Sequence, residues 1–310
     1  METQNATAAI NAEDINLESM IPPAFFEQEY VSRTIDGVLD MDIIDNARRL
    51  LKNVLIEGPT GSAKTSLVYA AAARAGLPVV NIACNGASDP KQFIGGWAPQ
   101  PDGTFDFMIG DLVKAVIGGG IIYLDEVNMC PPKIAVYLHS LLDRRRSISI
   151  PEAAGSSVPT EIIAHPDCQI VGSMNPNYHG TRPLNQAFRN RFNFKIRFPY
   201  SEEVEEKLVQ SKALLSFANT LRLRQEVGDL STPISTSALM DFEEIAQDEG
   251  LGYEFAITNF INSFSDDEVP VITELFRLEK DNIGHDLFVD YVSESQTDSG
   301  TDNPQNEEPL

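Results

Sequence analysis

The stretch from residue 58 to residue 66 has the composition of a loop that binds phosphate. Its residues, in order, are Gly58, Pro59, Thr60, Gly61, Ser62, Ala63, Lys64, Thr65 and Ser66. Glycines let backbone N–H groups turn inward around a phosphate, and the N-terminus of a following helix attracts the same negative charge. Lys64 would reach the β- and γ-phosphates, and Thr65 would ligate magnesium. We therefore predict that this loop binds ATP, although no base-reading motif excludes GTP.

One residue of this loop departs from the common pattern. Ala63 stands where a second glycine is usual. We expect its methyl group to be tolerated, because the residue would already enter the helix that follows. The alternative is a glycine-rich turn with an accidental Lys-Thr pair. The motifs farther along the chain that suit nucleotide chemistry make this alternative negligible.

Two adjacent carboxylates follow an apolar run later in the chain. The run ends at Leu124, and Asp125 and Glu126 come directly after it. A magnesium nucleotide needs a carboxylate near the loop threonine, and hydrolysis needs a base that orients water against the γ-phosphate. Ligands of open α/β sheets bind at the carboxyl ends of strands. We predict that Asp125 joins Thr65 in the magnesium shell and that Glu126 polarises the attacking water.

Three further side chains have types that suit this chemistry. Asn175 ends another apolar run, and its amide could hydrogen-bond the γ-phosphate or the water without adding negative charge. Arg189 and Arg191 lie shortly after it. P-loop enzymes often receive a cation from a neighbouring subunit as an arginine finger. We favour Arg191 for that role, with Arg189 as its competitor or helper; capping of helix carbonyls or pairing with acidic residues is the alternative for both.

Apolar runs with helical patterns between them must position these residues. Five runs have the character of strands, and they are Asn53–Glu57, Pro78–Ala83, Gly120–Leu124, Gln169–Met174 and the more polar Asn193–Phe198. The segments Lys64–Ala75 and Pro132–Asp143 favour helices. This alternation predicts an α/β nucleotide-binding domain with a five-stranded, mostly parallel sheet.

The pattern becomes helical after Pro199, which predicts a small helical lid. The helical stretches are Glu202–Thr220, Ser235–Asp248 and Gly252–Phe264. We divide the chain into an N-terminal extension (1–30), the α/β domain (31–200), the lid (201–265) and an acidic C-terminal segment (266–310). In the extension, the apolar patch Ile21–Phe26 could anchor an arm on the body. In the last segment we expect helices over Val269–Lys280 and His285–Val292, and disorder from Ser293 onward.

Charge and composition limit the classes of function. The formal net charge is −23, and residues 241–310 hold nineteen Asp and Glu against only Arg277 and Lys280. Such acidity disfavours nucleic acid as a partner. No run approaches the roughly 20 apolar residues that span a bilayer, and the first residues do not resemble a signal peptide, so we expect no membrane association and a cytoplasmic location. We expect the three widely spaced cysteines to be buried thiols.

The order and spacing of these motifs resemble those of AAA+ ATPases, and specifically the MoxR-like, helix-2-insert branch, over about residues 30–265. Two stretches add to the likeness: Ile94–Phe105 is similar to the hairpin that interrupts the second helix in these proteins, and Ser147–His165 to their hairpin before the sensor strand. In that family both hairpins project toward the axial surface of the ring, where a substrate or partner is contacted. Trp97, in the first of them, fits either such a contact or core packing.

The resemblance implies an ATPase that uses magnesium in a homo-oligomeric ring, a hexamer, and that acts as a chaperone remodelling or activating a protein client. A protein with a von Willebrand factor A domain is the implied partner. One departure weakens the expected coupling of the lid to the nucleotide, because Ser237 stands where the family commonly has a second sensor arginine; Arg222 or Arg224 could substitute. Two alternatives stay open: a motor on nucleic acid, to which the triplet Arg144 to Arg146 could contribute, and a nucleotide-gated scaffold with little hydrolysis.

Overall fold

The structure, a computed structural model, describes residues 15–84, 89–175 and 184–297 of the 310-residue chain. The chain divides into two compact units, Met1–Tyr200 and Ser201–Leu310. Within the described residues, none of the helices combines the length and the apolar character that crossing a bilayer requires.

The first unit contains all the strands of the described residues. They are β1 (Thr34–Ile35), β2 (Val38–Leu39), β3 (Val54–Glu57), β4 (Val79–Ala83), β5 (Gly95–Pro99), β6 (Phe105–Ile109), β7 (Gly120–Asp125), β8 (Ser147–Ser149), β9 (Glu161–Ile163), β10 (Cys168–Met174) and β11 (Phe194–Arg197). Its helices are α1 (Phe25–Gln28), α2 (Asp40–Arg49), α3 (Lys64–Ala75), α4 (Pro90–Ile94), α5 (Asp111–Gly118), α6 (Pro132–Leu142) and α7 (Gln186–Arg189).

The main sheet has five strands in the order β11-β3-β10-β7-β4, and every neighbouring pair is parallel. The predicted α/β class and five-stranded sheet are confirmed. Side chains of β7 alternate between two cores: Ile121 and Tyr123 pack with α2 and α3, whereas Ile122 and Leu124 pack with α5 and α6. Because both faces of the sheet are covered, its central strands are continuous apolar runs.

This arrangement gathers the ends of three strands at one edge of the sheet. Parallel pairing sets Met174 of β10 beside Glu57 of β3, and β7 ends at Asp125 on the other side of β10. The segment after β3 leads directly into α3, which ends at Gly76 in the left-handed conformation (φ 62°) that commonly caps a helix. The motifs found in the sequence therefore lie at the carboxyl edge of the sheet.

Two antiparallel hairpins stand outside the main sheet. The second lies within the predicted stretch Ser147–His165, whereas the first extends beyond the predicted stretch Ile94–Phe105, because its second strand continues to Ile109. One pairs β5 with β6, and the other pairs β8 with β9. They are joined to each other, because the Trp97 Nε1 donates to the carbonyl oxygen of Glu152 (2.9 Å) and the Ser157 hydroxyl donates to Asp106 (2.8 Å). Trp97 is 46% exposed, so core packing is the wrong interpretation of this residue.

The described part of the N-terminal extension is attached to the body of the first unit. The ring of Phe26 lies 5.2 Å from that of Tyr69 on α3, and Leu17 is buried in the core beneath α5 and α6. Within the stretch Ile21–Phe26 it is Phe26 that makes the contact with α3, whereas Ile21 and Phe25 are exposed. Among the cysteines, Cys84 and Cys168 are buried as expected, whereas Cys130 is only half-buried.

The second unit is helical throughout its described residues. Its helices are α8 (Glu202–Leu208), α9 (Lys212–Glu226), α10 (Thr236–Gln247), α11 (Gly252–Ile261) and α12 (Val269–Thr297). The stretch predicted as one helix after residue 202 is two, because the chain turns at Ser211, whose hydroxyl caps α9 by accepting from the Leu214 N–H at 3.0 Å.

The last helix differs most from the sequence prediction. Helix α12 is continuous where two helices and a disordered end from Ser293 were expected, and it contributes Ile272, Phe276, Ile283 and Leu287 to the core of the second unit. The acidic segment therefore does not begin a separate region at residue 266. Residues 298–310 lie outside the described residues.

Candidate functional site

The segment between β3 and α3 is shaped by positions that only a small residue can occupy. A Cβ atom on Gly58 would lie 2.1 Å from the carbonyl oxygen of Phe198, so no other residue fits there. Gly61 and Ala63 both have left-handed backbones, with φ angles of 67° and 68°. Ala63 is the residue that precedes the helix, and the expectation that it already enters α3 is wrong. A left-handed conformation costs an L-residue roughly 1–2 kcal/mol.

Lys64 folds back over this loop. Its Nζ donates to the carbonyl oxygens of Gly58 (3.0 Å) and Pro59 (2.6 Å) and to the Asn175 Oδ1 (2.8 Å), and the residue is only 8% exposed. Burial lowers the pKa of Lys64 to about 8, against the opposing effect of the Asp125 and Glu126 charges. Within the described residues, no carboxylate lies at salt-bridge distance from this ammonium group. The result is a buried cation without an anion in contact.

Arg33 supports the loop through a hydrogen bond to its backbone, a role that the sequence prediction missed. Its guanidinium donates to the carbonyl oxygens of Ser62 (3.0 Å) and Pro199 (2.6 Å) and lies 3.8 Å from the ring centroid of Phe198. The Asp40 carboxylate is 3.9 Å away and is fully buried. These contacts connect residues up to 166 positions apart, and no sequence pattern near Arg33 predicts them.

The two residues predicted to hold magnesium lie on either side of one hydroxyl group. The Thr65 Oγ1 is 3.0 Å from the Tyr123 hydroxyl, which donates to the Asp125 Oδ1 at 3.2 Å. The Ser173 hydroxyl donates to the same carboxylate oxygen at 2.7 Å. Burial raises the pKa of Tyr123 well above its usual value, so its hydroxyl keeps its proton.

Tyr123 and Ser173 were also absent from the predicted site, although a signal for them exists in the sequence. Side chains two apart on a strand share a face. Tyr123 therefore accompanies Asp125 on β7, and Ser173 accompanies Asn175 at the end of β10. The two-residue period of the strands therefore predicts that both side chains lie on the same face as the site residues.

Glu126 is held in an unusual backbone conformation at the end of β7. Its φ and ψ angles are 53° and 49°, a left-handed conformation that is uncommon for residues other than glycine. Its side chain is exposed. Its N–H donates to the Ser173 hydroxyl at 3.4 Å. Asn175 begins the next loop and presents its Oδ1 to Lys64, so the structure brings both residues to the edge where the phosphate loop lies.

The two candidate arginines have different surroundings. The Arg189 guanidinium donates twice to the Glu57 Oε1, at 3.0 and 2.6 Å. The Arg191 Nη1 donates to the carbonyl oxygen of Ala187 in the preceding helix α7 (2.9 Å), and its buried Nε lacks a partner within the described residues. Burial and the nearby Arg191 charge lower the pKa of His139 on α6. Arg189 is therefore engaged at the end of β3, whereas Arg191 faces the side of α6.

In the second unit, Ser237 and the two arginines that could substitute for a sensor arginine also differ in their surroundings. Ser237 is exposed in the first turn of α10. Arg222 is committed to the interior of its own unit, where it donates to both oxygens of the buried Glu205 at 2.8 and 2.7 Å. Arg224 is half-buried on the same helix.

The arginine triplet after α6 makes local contacts. Arg145 pairs with Asp143 at 2.8 Å, and the Arg146 guanidinium donates to the carbonyl oxygens of His165 (3.0 Å) and Cys168 (2.8 Å). Arg146 therefore caps backbone carbonyl groups, whereas Arg144 and Arg145 are exposed.

Comparison with known proteins agrees with this geometry. The model of the AAA domain, dynein-related subfamily, matches residues 53–192, which begin just before β3 and include every motif described above. An uncharacterised protein of Staphylococcus epidermidis is 30% identical over an alignment of 229 positions, which covers 67% of this chain and 84% of that protein. Residues 53–192 of this chain are an AAA domain.

Solved structures with a similar fold are more distant from this AAA domain protein. NtrX from Brucella abortus is 15% identical with a TM-score of 0.43, over 85% of this chain and 66% of that one. A candidate ATPase from Cytophaga hutchinsonii is 18% identical with a TM-score of 0.41, over 87% of this chain and 86% of that one. The chain spans about two thirds of the NtrX chain, and nothing about its activity follows from either likeness.

Proposed function

We propose that this AAA domain protein binds ATP with Mg²⁺ and hydrolyses the bond between the β- and γ-phosphates. The observation that carries the proposal is the buried ammonium group of Lys64, which contacts carbonyl and amide oxygens but, within the described part of the chain, no carboxylate. Burying a cation without an opposite charge is unfavourable. Phosphate oxygens beside the loop would supply that charge, and the N-terminus of α3 would add to the attraction.

The residues at the edge of the sheet fit a magnesium nucleotide. Thr65 and Asp125 offer the oxygen ligands that Mg²⁺ prefers, and the ion, when bound, would neutralise charge on the phosphates. Glu126 would accept a proton from the attacking water or orient it, since its carboxylate is exposed at this edge. Because Lys64 already occupies the Oδ1 of Asn175, the amide N–H groups of that residue remain to donate to the γ-phosphate or the water.

We further propose that a neighbouring subunit completes the site with Arg191. The ion pair of Arg189 with Glu57 restrains the competing arginine within its own chain, which supports Arg191 as the finger and Arg189 as a helper. An arginine donated between subunits implies a homo-oligomeric ring, for which the MoxR-like resemblance suggests a hexamer.

The client in this proposal is another protein, in the cytoplasm, where ATP is available. The first hairpin presents the exposed side chains of Trp97, Phe105 and Met108, which are 46%, 66% and 50% exposed and suit contact with protein. A von Willebrand factor A domain protein stays the partner suggested by resemblance. The contacts of Arg145 and Arg146 and the net charge of −23 weaken the nucleic-acid alternative.

A nucleotide-gated scaffold is the second candidate, favoured by one observation. Ser237 supplies no cation to a nucleotide, and Arg222 is committed to Glu205. A lid without a sensor cation would couple weakly to hydrolysis. The scaffold therefore predicts binding of ATP with negligible turnover.

Phosphate release by the wild type and by Glu126→Gln separates the two candidates. For the ATPase we expect the variant to lose about 10²- to 10⁴-fold in turnover, the usual contribution of a general base, while it still binds ATP. Glu244→Gln, at an exposed position of α10, is the matched control and should behave as the wild type. Equal, negligible turnover in wild type and Glu126→Gln would reject the active enzyme in favour of the scaffold.

The remodelling function has its own test. Glu126→Gln loaded with ATP should retain a protein client in a pull-down, because a blocked motor stays engaged, and Lys64→Ala should not. Recovery of the bait alone from both would contradict remodelling of a protein partner.

A further inference from the structure

The hydroxyl group of Tyr123 occupies a position that packing does not explain. The ring is fully buried in the apolar core against α3, where a phenylalanine would pack equally well. Its oxygen lies 3.0 Å from the Thr65 Oγ1 and 3.2 Å from the Asp125 Oδ1. It thus spans the two residues that we propose as the magnesium ligands.

The direction of these two hydrogen bonds follows from counting protons. An ionised carboxylate only accepts hydrogen bonds, and a phenol has a single proton to give. Tyr123 gives that proton to Asp125. The bond between Thr65 and Tyr123 therefore uses the threonine proton, with Tyr123 as the acceptor. A threonine whose proton is directed away in this manner leaves its oxygen lone pairs available to a cation.

The same network fixes the orientation of the Asp125 carboxylate. Its Oδ1 accepts from the hydroxyls of both Tyr123 and Ser173. None of the hydrogen bonds among the described residues ends on its Oδ2. One carboxylate oxygen is thus restrained, and the other is available to the shell of a metal ion. Outer partners that orient ligands in this way typically change metal affinity 10- to 100-fold when they are removed.

We propose that Tyr123 is a positioning residue of the magnesium site, which sets the proton of Thr65 and the carboxylate of Asp125 for the ion. The inference rests on the proposed function and adds to it a residue that acts through the two proposed magnesium ligands. We expect its effect to be specific to the metal, because the contacts that hold Lys64 over the loop do not involve the tyrosine.

The test compares Tyr123→Phe with the wild type in binding a fluorescent ATP analogue, first in EDTA and then during titration with MgCl₂. We expect the affinity in EDTA to stay within about twofold, and the Mg²⁺ concentration for half-maximal effect to rise about 10- to 100-fold. Binding of Mn²⁺ to the protein–nucleotide complex, followed by electron paramagnetic resonance, should show the same shift. Tyr253→Phe is the control, since that hydroxyl donates to the Lys280 carbonyl oxygen within the second unit.

Two outcomes would overturn the inference alone, provided that the wild type binds the analogue with a clear dependence on Mg²⁺. One is an unchanged Mg²⁺ requirement in Tyr123→Phe. The other is an equal loss of affinity with and without the ion, which would assign the hydroxyl to packing of the loop. If Tyr123→Phe does not fold, Ser173→Ala serves instead, because it removes the other donor to the Asp125 Oδ1 and should raise the Mg²⁺ requirement in the same direction. Absence of nucleotide binding by the wild type would overturn the proposed function, and the inference with it.

Discussion

Replacing Ala63 by glycine should stabilise the first unit. The residue has φ and ψ angles of 68° and 27°, where an L-residue is disfavoured by roughly 1–2 kcal/mol relative to glycine. Glycine also makes the unfolded chain more flexible, which offsets about 0.4–1 kcal/mol of this gain. The net increase in the free energy of unfolding is about 0.5–1 kcal/mol. For a unit of this size, 1 kcal/mol corresponds to a shift of about 2–4 °C in Tm.

Thermal unfolding of the nucleotide-free protein, followed by circular dichroism, measures this effect. The matched control is Ala73→Gly inside helix α3, where the backbone is helical and glycine should lower stability by about 0.5–1 kcal/mol. The two substitutions thus make the same chemical change with opposite expected signs. If Ala63→Gly lowered Tm as Ala73→Gly does, the left-handed conformation before α3 would be refuted.

Three further predictions concern charges. Nucleotide binding without Mg²⁺ should weaken as the pH rises above 8. Burial lowers the pKa of Lys64 to about 8, and the neutral amine no longer attracts phosphate. An affinity, measured by calorimetry, that stays constant up to pH 9.5 would contradict this prediction. Glu268→Gln should destabilise the second unit at neutral pH by about 1–3 kcal/mol. Burial raises the pKa of Glu268, but hydrogen bonds from Ser231 and Thr232 outweigh this effect and lower that pKa to about 2. The stabilisation is therefore present above the ordinary pKa of 4.5 and is lost as the pH falls toward 2. Urea unfolding curves of the wild type and Glu268→Gln that fail to converge at low pH would contradict this prediction. Finally, the variants Arg191→Ala and Glu126→Gln should each be inactive alone. A mixture of the two should recover ATPase activity, since some sites in mixed rings combine an intact Glu126 with an intact Arg191 from the neighbouring subunit. Absence of recovery would mean that Arg191 acts in the site of its own subunit or takes no part in hydrolysis.

The strands of the main sheet could be predicted because parallel strands covered on both faces must be apolar throughout. The bounds of α3 were equally accessible, since it lies between the phosphate-loop motif and Gly76. The continuity of α12 was not. Gly284 suggests a break, but in the structure a Cβ there would lie 3.1 Å from the Tyr253 ring, so the glycine allows close packing inside a continuous helix. Only the tertiary partner distinguishes these two uses of glycine.

The candidate site shows the same division between local motif and distant support. Lys64, Thr65, Asp125 and Glu126 were found because each belongs to a short pattern with a chemical reason. The partners that orient them were missed, as with Arg33, which holds the loop from 29 residues before Ser62. The ion pair of Arg189 with Glu57, 132 residues away, could not be predicted from the sequence either. It depends on how the end of β3 packs against the segment after β10.

Equilibrium binding of ATP, measured by titration calorimetry, tests the central claim most directly. The account predicts that the wild type binds ATP and that Lys64→Ala binds it about 10- to 150-fold more weakly, the usual effect of removing a charged hydrogen-bond donor. Lys52→Ala, at an exposed position just before β3, should bind as the wild type does. A wild type that does not bind ATP, or a Lys64→Ala variant that binds it equally well, would contradict the account.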